Sequence, residues 1–199
     1  MVLGLLALSE GVVAGAAEQL WRAIEILDEM GVEEPGAFPV LPDAIEALAR
    51  SGQRSRAEAL VARLEQQVMN LKGAWASAGL ERSRGVLSLA AGEPDAALAP
   101  LEAADAALAP LEAADAALAP LEAAEAAFTE LGFRPEAARA HLLHGQALLR
   151  GGRRTHAADV LAESRDRFAG MGAALWKERA LDELERVAPG RSGSELTST

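Results

Sequence analysis

The chain of 199 residues contains no cysteine and no tyrosine, and aromatic residues make up only 4% of it. Without cysteine there can be no disulfide, no thiolate metal site and no cysteine nucleophile, a composition typical of proteins in a reducing cytoplasm. Valine and isoleucine are sparse while alanine and leucine dominate, which favours helices over strands. The sequence therefore predicts an all-α protein located in the cytoplasm.

Positive charge is also scarce, with 19 basic residues against 30 acidic ones and a formal net charge of −11. Affinity for the phosphates of nucleic acids comes mainly from clustered lysine and arginine, so we expect no direct nucleic-acid binding by this chain. The apolar stretch at the N-terminus stops at Ser9 and lacks the positive charge of a secretion signal. No run approaches the roughly 20 apolar residues of a membrane span, so we expect no membrane association.

Motifs for nucleotide binding or catalysis are missing as well. The sequence contains no G-x-x-x-x-G-K-[ST] loop, no G-x-S-x-G elbow and no H-E-x-x-H. His141, His144 and His156 could offer nitrogens to a metal, but no carboxylate or thiol is clearly placed to complete the site, so surface histidines are the preferred interpretation. We expect no catalytic residue, no cofactor and no metal. An enzyme would need a buried pocket with a clustered acid, base and nucleophile.

A four-fold pattern of small residues organises the chain. A small residue, a glycine seven positions later and an alanine five positions after that recur in four sets, with isoleucine in the first slot of the second set. The sets are Gly4, Gly11 and Ala16; Ile45, Gly52 and Ala57; Gly85, Gly92 and Ala97; Gly145, Gly152 and Ala157. The middle glycines are 41, 40 and 60 residues apart. This period predicts a helical-repeat array, in which each glycine ends a helix and each first small residue faces the alanine of the next helix.

The longest interval contains the block DAALAPLEAA three times in succession, starting at Asp95, Asp105 and Asp115. Two surplus blocks account for 20 residues, and removing them restores the 40-residue period. The third unit therefore carries a duplication within its second helix. Twenty helical residues add about 200° of rotation beyond whole turns, so we expect Phe128 and Leu131 to point away from their original face.

Each copy of the block also contains a proline, which costs about 3 kcal/mol inside a helix. We therefore expect kinked segments that start afresh near Pro100, Pro110 and Pro120 and project from the stack. A leucine seam for a partner is the alternative. It is weaker, because a ten-residue period shifts the leucine stripe by about 80° per block.

The slot pattern resembles tetratricopeptide-type repeats. It predicts a tetratricopeptide-like α-α superhelix of four helix-turn-helix hairpins plus a C-terminal capping helix. The array spans residues 1–188, and a tail rich in glycine, serine and threonine follows over 189–199. The units cover about 1–31, 36–73, 74–132 with the duplication within 95–124, and 134–172, and the cap covers 174–188.

A closer resemblance is to the helical-repeat region of large ATP-binding transcription regulators of the LuxR type, the group that includes the maltose regulator. The stretches that carry it are LGLLALSEG from Leu3, EPGAFPVLPDAIEALARSGQ from Glu34, GVLSLAAGEPDAAL from Gly85, FTELGFRPEAARAHLLHGQALLRGGRR from Phe128 and GAALWKERALDEL from Gly172. In that family a P-loop ATPase precedes the repeats and a helix-turn-helix domain follows them. SELTST at 194–199 looks like the start of that junction.

The resemblance implies a truncated or excised sensor and arm region, which relays effector or partner binding to an ATPase and a DNA-binding domain absent from this chain. Catalysis is not expected of it. The alternative is a free-standing adaptor that binds a peptide in its concave groove. By analogy with tetratricopeptide geometry, the polar contacts on that face would be Arg82, Arg139, Gln146 and Arg150.

Overall fold

The computed structural model describes residues 2–32, 39–71, 73–91 and 105–187, with backbone alone for residues 71 and 105–110. In these ranges the chain forms helices and turns without any strand, which confirms the all-α prediction. None of the helices in these ranges combines the length and the apolar character needed to cross a bilayer. The helices are α1 (Val2–Ser9), α2 (Val13–Glu29), α3 (Leu41–Arg50), α4 (Arg54–Leu71), α5 (Ala74–Ala91), α6 (Asp105–Glu130), α7 (Arg134–Arg150), α8 (Arg154–Gly170) and α9 (Ala174–Val187).

Glycine turns end several of these helices where the sequence pattern predicts them. Gly152 has a φ of 74°, which glycine adopts without the steric cost that other residues pay. The N–H of Arg153 then donates to the carbonyl of Leu148 at 2.9 Å, a bond that closes the end of α7. The same arrangement occurs at Gly11, Gly31, Gly52, Gly132 and Gly172.

The first glycine of the third and fourth sets lies against a leucine of the following helix. A Cβ placed on Gly145 would lie 2.6 Å from Leu161 Cδ2, and one on Gly85 would lie 2.5 Å from Leu121 Cγ. In the fourth set the expectation of glycine facing alanine is therefore wrong in detail, whereas Ala97 of the third set lies outside the described residues. Ala157 is fully buried, but the closest side chain to Gly145 is the leucine one helical turn later.

Helix α6 places the last copy of the duplicated block against α5. Leu121, which meets Gly85, belongs to the copy that begins at Asp115. Phe128 lies four residues after the end of this copy and stays in the core, fully buried, with its ring centroid 6.3 Å from that of Trp75. The expected rotation of Phe128 away from the core is wrong, because the surplus residues precede the packed copy and do not separate it from Phe128.

Helix α6 also runs through two of the prolines. Pro110 and Pro120 both lie inside Asp105–Glu130, so the expectation of new helix starts near them is wrong. Burial of Leu121 and other residues of α6 offsets the hydrogen bond that each proline removes. Leu131, in the turn that follows, is exposed. Outside the described residues lie Gly92, Ala97, Pro100 and the segment 188–199.

Helices that are two apart in the chain also pack together: α3 contacts α5, α5 contacts α7, and α7 contacts α9. The first and last helices meet as well, since α1 contacts α9 and Arg179 Nη1 donates to the carbonyl of Leu8 at 2.9 Å. The face on which these odd-numbered helices meet is called the inner face below. It holds most of the buried charges of the described residues.

Candidate functional site at the inner face

A network of ion pairs is buried between α3, α5 and α7. Asp43 and Glu46 lie three residues apart on α3, so their carboxylates share one side of the helix. Arg139 on α7 binds both, with Nη1 2.6 Å from Asp43 Oδ1 and Nη2 2.8 Å from Glu46 Oε2. Arg82 on α5 binds the same Oδ1 atom of Asp43 at 2.5 Å. These four residues form the inner ion cluster.

Burial and neighbouring charges act in opposite directions on the cluster. Burial alone would raise the pKa of Glu46, but the nearby guanidinium groups, first that of Arg139, lower this pKa to about 2. Burial would lower the pKa of Arg139, whereas the carboxylates of Asp43 and Glu46 raise it above its usual value. Burial and the charge of Arg139 lower the pKa of Arg82. The charged forms therefore depend on one another, because removing any member changes the charge balance of a buried group.

Trp176 on α9 joins the cluster to the last helix. The guanidinium carbon of Arg139 lies 4.7 Å from the centroid of the indole ring, and that of Arg179 lies 4.6 Å from it. Both distances are within the range of cation–π attraction. Burial lowers the pKa of Arg179 to about 10. Because Arg179 also binds the carbonyl of Leu8, the indole ring stands between the inner ion cluster and the contact of α1 with α9.

Beside the cluster, a small cavity of about 200 Å³ opens among α2, α3, α5, α7 and α9. We call it the central pocket. Its lining combines three arginines, one glutamine and one glutamate with apolar side chains: Val13, Arg50, Val86, Leu89, Ala90, Leu143, Gln146, Arg150, Glu183 and Arg186. Three guanidinium groups against one carboxylate give the lining a positive balance.

The polar groups of the central pocket are held in place by the chain itself. Arg150 Nη1 donates to the carbonyl of Leu89 at 3.1 Å, and Gln146 Nε2 donates to Glu183 Oε1 at 2.9 Å. Arg186 binds the same Glu183 oxygen at 2.8 Å. Arg150 is the last residue of α7, where a cation is favoured by the helix dipole. Bonds within the chain therefore hold these polar side chains of the pocket in position.

The four residues predicted for partner binding all lie along this part of the molecule. Arg82 and Arg139 belong to the inner ion cluster and are only 2% and 5% exposed, so neither offers its guanidinium to the surface. Gln146 and Arg150 line the central pocket. Contact of any of them with a partner stays a prediction.

Sequence reasoning did not find the acidic half of the cluster. Asp43 and Glu46 occur in LPDAIEALAR, where all other residues except Arg50 are apolar. Two carboxylates three apart within an apolar helix are a signal that buried cations face them. Their arginine partners come from α5 and α7, so only the packing of helices reveals which arginines these are.

A second group of polar side chains lies between α6, α7 and α8. His141 and His144 are each 7% exposed, and their ring centroids are 6.4 Å apart. His141 Nδ1 lies 2.7 Å from Glu125 Oε2, and one potential ligand atom from each of Glu125, His141 and His144 lies within 4.8 Å of the others. We call these three residues the histidine cluster. The sequence had predicted no metal here because it showed no suitable carboxylate, and α6 supplies one.

Among the described residues, the lining of the central pocket combines three arginines with apolar side chains and includes no hydroxyl, thiol or imidazole. Two hollows of about 670 and 600 Å³ are open grooves whose linings mix acidic and basic side chains. Compared with known protein families, curated proteins and solved structures, the chain matches none of them.

Proposed function

We propose that this chain is a non-catalytic sensor module that binds a small anionic effector in the central pocket. Its architecture in this proposal is a tetratricopeptide-like superhelix of four helix hairpins with a capping helix. In the wider proposal it is the helical-repeat arm of a cytoplasmic LuxR-type transcription regulator, and it relays effector binding to an ATPase and a helix-turn-helix domain. The sequence resemblance and the paired helices support the architecture. The arginine lining of the central pocket carries the effector part.

The pocket is suited to a relay because its lining comes from five helices. An anion held by Arg50, Arg150 and Arg186 would contact α3, α7 and α9 together. The inner ion cluster and Trp176 couple these same helices to α5 and α1. A change in helix spacing at the pocket would therefore reach both ends of the array.

Size favours a small effector over a peptide. Pockets for drug-sized ligands occupy roughly 300–1,000 Å³, whereas the central pocket measures about 200 Å³. A peptide in the concave groove would need Arg82 and Arg139 at the surface, and both are engaged in buried ion pairs. The adaptor alternative is therefore the weaker one.

Titration with inorganic phosphate and with succinate, followed by thermal unfolding, tests the effector part. A ligand that binds only the folded chain stabilises it by about 2.7 kcal/mol at 100 times its Kd. We expect this stabilisation to be lost in Arg150→Gln and Arg186→Gln. It should persist in the control Arg54→Gln, since Arg54 is exposed and pairs only with Glu58 among the described residues. No saturable response to either anion, or equal responses in all variants, would refute the anion site.

The regulator part is tested separately by the genomic sequence on both sides of the codons for this chain. We expect a P-loop motif upstream and a helix-turn-helix downstream in the same reading frame. Stop codons on both sides with neither motif would contradict the regulator and leave the anion result standing.

A further inference from the structure

The histidine cluster contains a buried nitrogen without a hydrogen-bond partner. Nε2 of His141 is inaccessible to solvent and receives or donates no hydrogen bond within the described chain. Buried polar atoms are nearly always satisfied, so an unpartnered one needs an explanation. A ligand absent from the chain itself is one such explanation.

The tautomer of His141 makes this nitrogen an electron-pair donor. Nδ1 lies 2.7 Å from Glu125 Oε2, and because an ionised carboxylate only accepts, Nδ1 carries the proton. In the neutral ring Nε2 then has a free lone pair. Metal-binding histidines typically donate their other N–H to a carboxylate in this way, which fixes the ring and raises its basicity.

Further carboxylates surround the two imidazoles. Glu163 Oε2 lies 3.5 Å from His141 Nε2, and Glu122 Oε1 lies 3.4 Å from His144 Nε2. Two ligand atoms on a tetrahedral Zn²⁺, each about 2 Å from the ion, are about 3.4 Å apart. These pairs therefore already have the separation of metal ligands.

The local charge also favours a cation. Within the part of the chain that the structure describes, the carboxylates of Glu125 and Glu163 pair with the guanidinium of Arg167, at 2.7 and 2.8 Å, and the carboxylate of Glu122 lies beside His144. With both imidazoles neutral, the site carries an excess of two negative charges. His156 contributes a third ring whose centroid is 6.2 Å from that of His144, but its side chain is exposed.

We propose that the histidine cluster is a Zn²⁺ site, with His141 Nε2 and His144 as ligands, Glu122 and Glu163 completing a four-coordinate shell, and Glu125 orienting the ring of His141. Nitrogen and carboxylate oxygen are ligands that Zn²⁺ prefers, and the site draws them from α6, α7 and α8. Bound zinc would hold the duplicated helix α6 to the fourth unit. This proposal is independent of the central pocket and of the regulator resemblance.

Competition for Zn²⁺ between the metal-free full chain and a chromophoric chelator of known affinity tests the proposal. We expect one zinc per chain, and affinity at least about tenfold lower in His141→Ala, His144→Ala and Glu125→Gln. The matched control is His156→Ala, which should keep wild-type affinity. No competition with the chelator, or an equal loss in the control, would overturn the site.

A variant at His141 could lose affinity by failing to fold, so a measurement on the wild-type chain accompanies the series. Co²⁺ replacing Zn²⁺ should show the intense visible bands of tetrahedral coordination, because geometry is diagnostic for this ion. Only the weak bands of octahedral Co²⁺ would count against the proposed ligand shell.

Discussion

Replacing the Glu46 carboxylate by an amide, Glu46→Gln, removes one charge from the inner ion cluster at nearly constant shape. The carboxylate binds Arg139 and Arg50 at 2.8 and 3.2 Å and is 2% exposed. Its pKa is lowered from an ordinary value of 4.5 to about 2, and each pK unit corresponds to about 1.4 kcal/mol. Ionised Glu46 therefore stabilises the fold by about 3 kcal/mol at pH 7, close to the cost of breaking a buried pair.

The pH dependence follows from the direction of this pKa change. The pKa of Glu46 is lower in the folded chain than in the unfolded one, so the unfolded chain takes up the proton first as the pH falls. The stabilisation is complete above about pH 5 and is lost as the pH falls through 4.5 towards 2. Wild type and Glu46→Gln should thus differ by about 3 kcal/mol at pH 7 and converge near pH 2.

Urea unfolding followed by far-UV circular dichroism at pH 7, 5, 4 and 3, at one ionic strength, measures this difference. The control Glu58→Gln removes an exposed carboxylate that pairs with Arg54, and it should change the free energy of unfolding by less than about 1 kcal/mol. A difference between wild type and Glu46→Gln that stays constant from pH 7 to 3 would refute the reasoning. So would a loss at pH 7 no larger than that of the control.

Three further changes test the packing. Gly145→Ala should lower the free energy of unfolding, measured with urea, by about 1–3 kcal/mol, because the added Cβ would lie 2.6 Å from Leu161 Cδ2. The control Gly170→Ala adds a Cβ where no atom lies within 4 Å, so it should be neutral or stabilise the chain by up to about 1 kcal/mol. Phe128→Ala should cost about 3–5 kcal/mol and Leu131→Ala under about 1 kcal/mol by the same assay, and equal costs would contradict the observed register of α6. Deletion of residues 95–114 should leave a helical chain that unfolds cooperatively in circular dichroism, because the copy packed on α5 is retained. A molten or unfolded product would show that the surplus residues are needed.

The helices and their ends could be read from the sequence because both depend on local chemistry. Alanine and leucine favour helices through backbone and side-chain entropy, and Gly152 ends α7 because it adopts a φ that other residues avoid. The 40-residue period located these turns without any knowledge of packing. The expectation of new helix starts near the prolines was wrong at Pro110 and Pro120. Helix propensity is a property of each residue alone, whereas the burial that stabilises α6 comes from many of its residues together.

Contacts between distant residues were decided only by the tertiary structure. Asp43 and Arg82 are 39 positions apart, and nothing in either helix alone says that they meet. Which copy of an identical block packs on Gly85 depends on how α6 fits α5, and this choice also places Glu125 beside His141. Composition and period therefore determined the helices and turns, whereas the ion cluster, the central pocket and the histidine cluster depend on side chains that share a face only when separate helices pack.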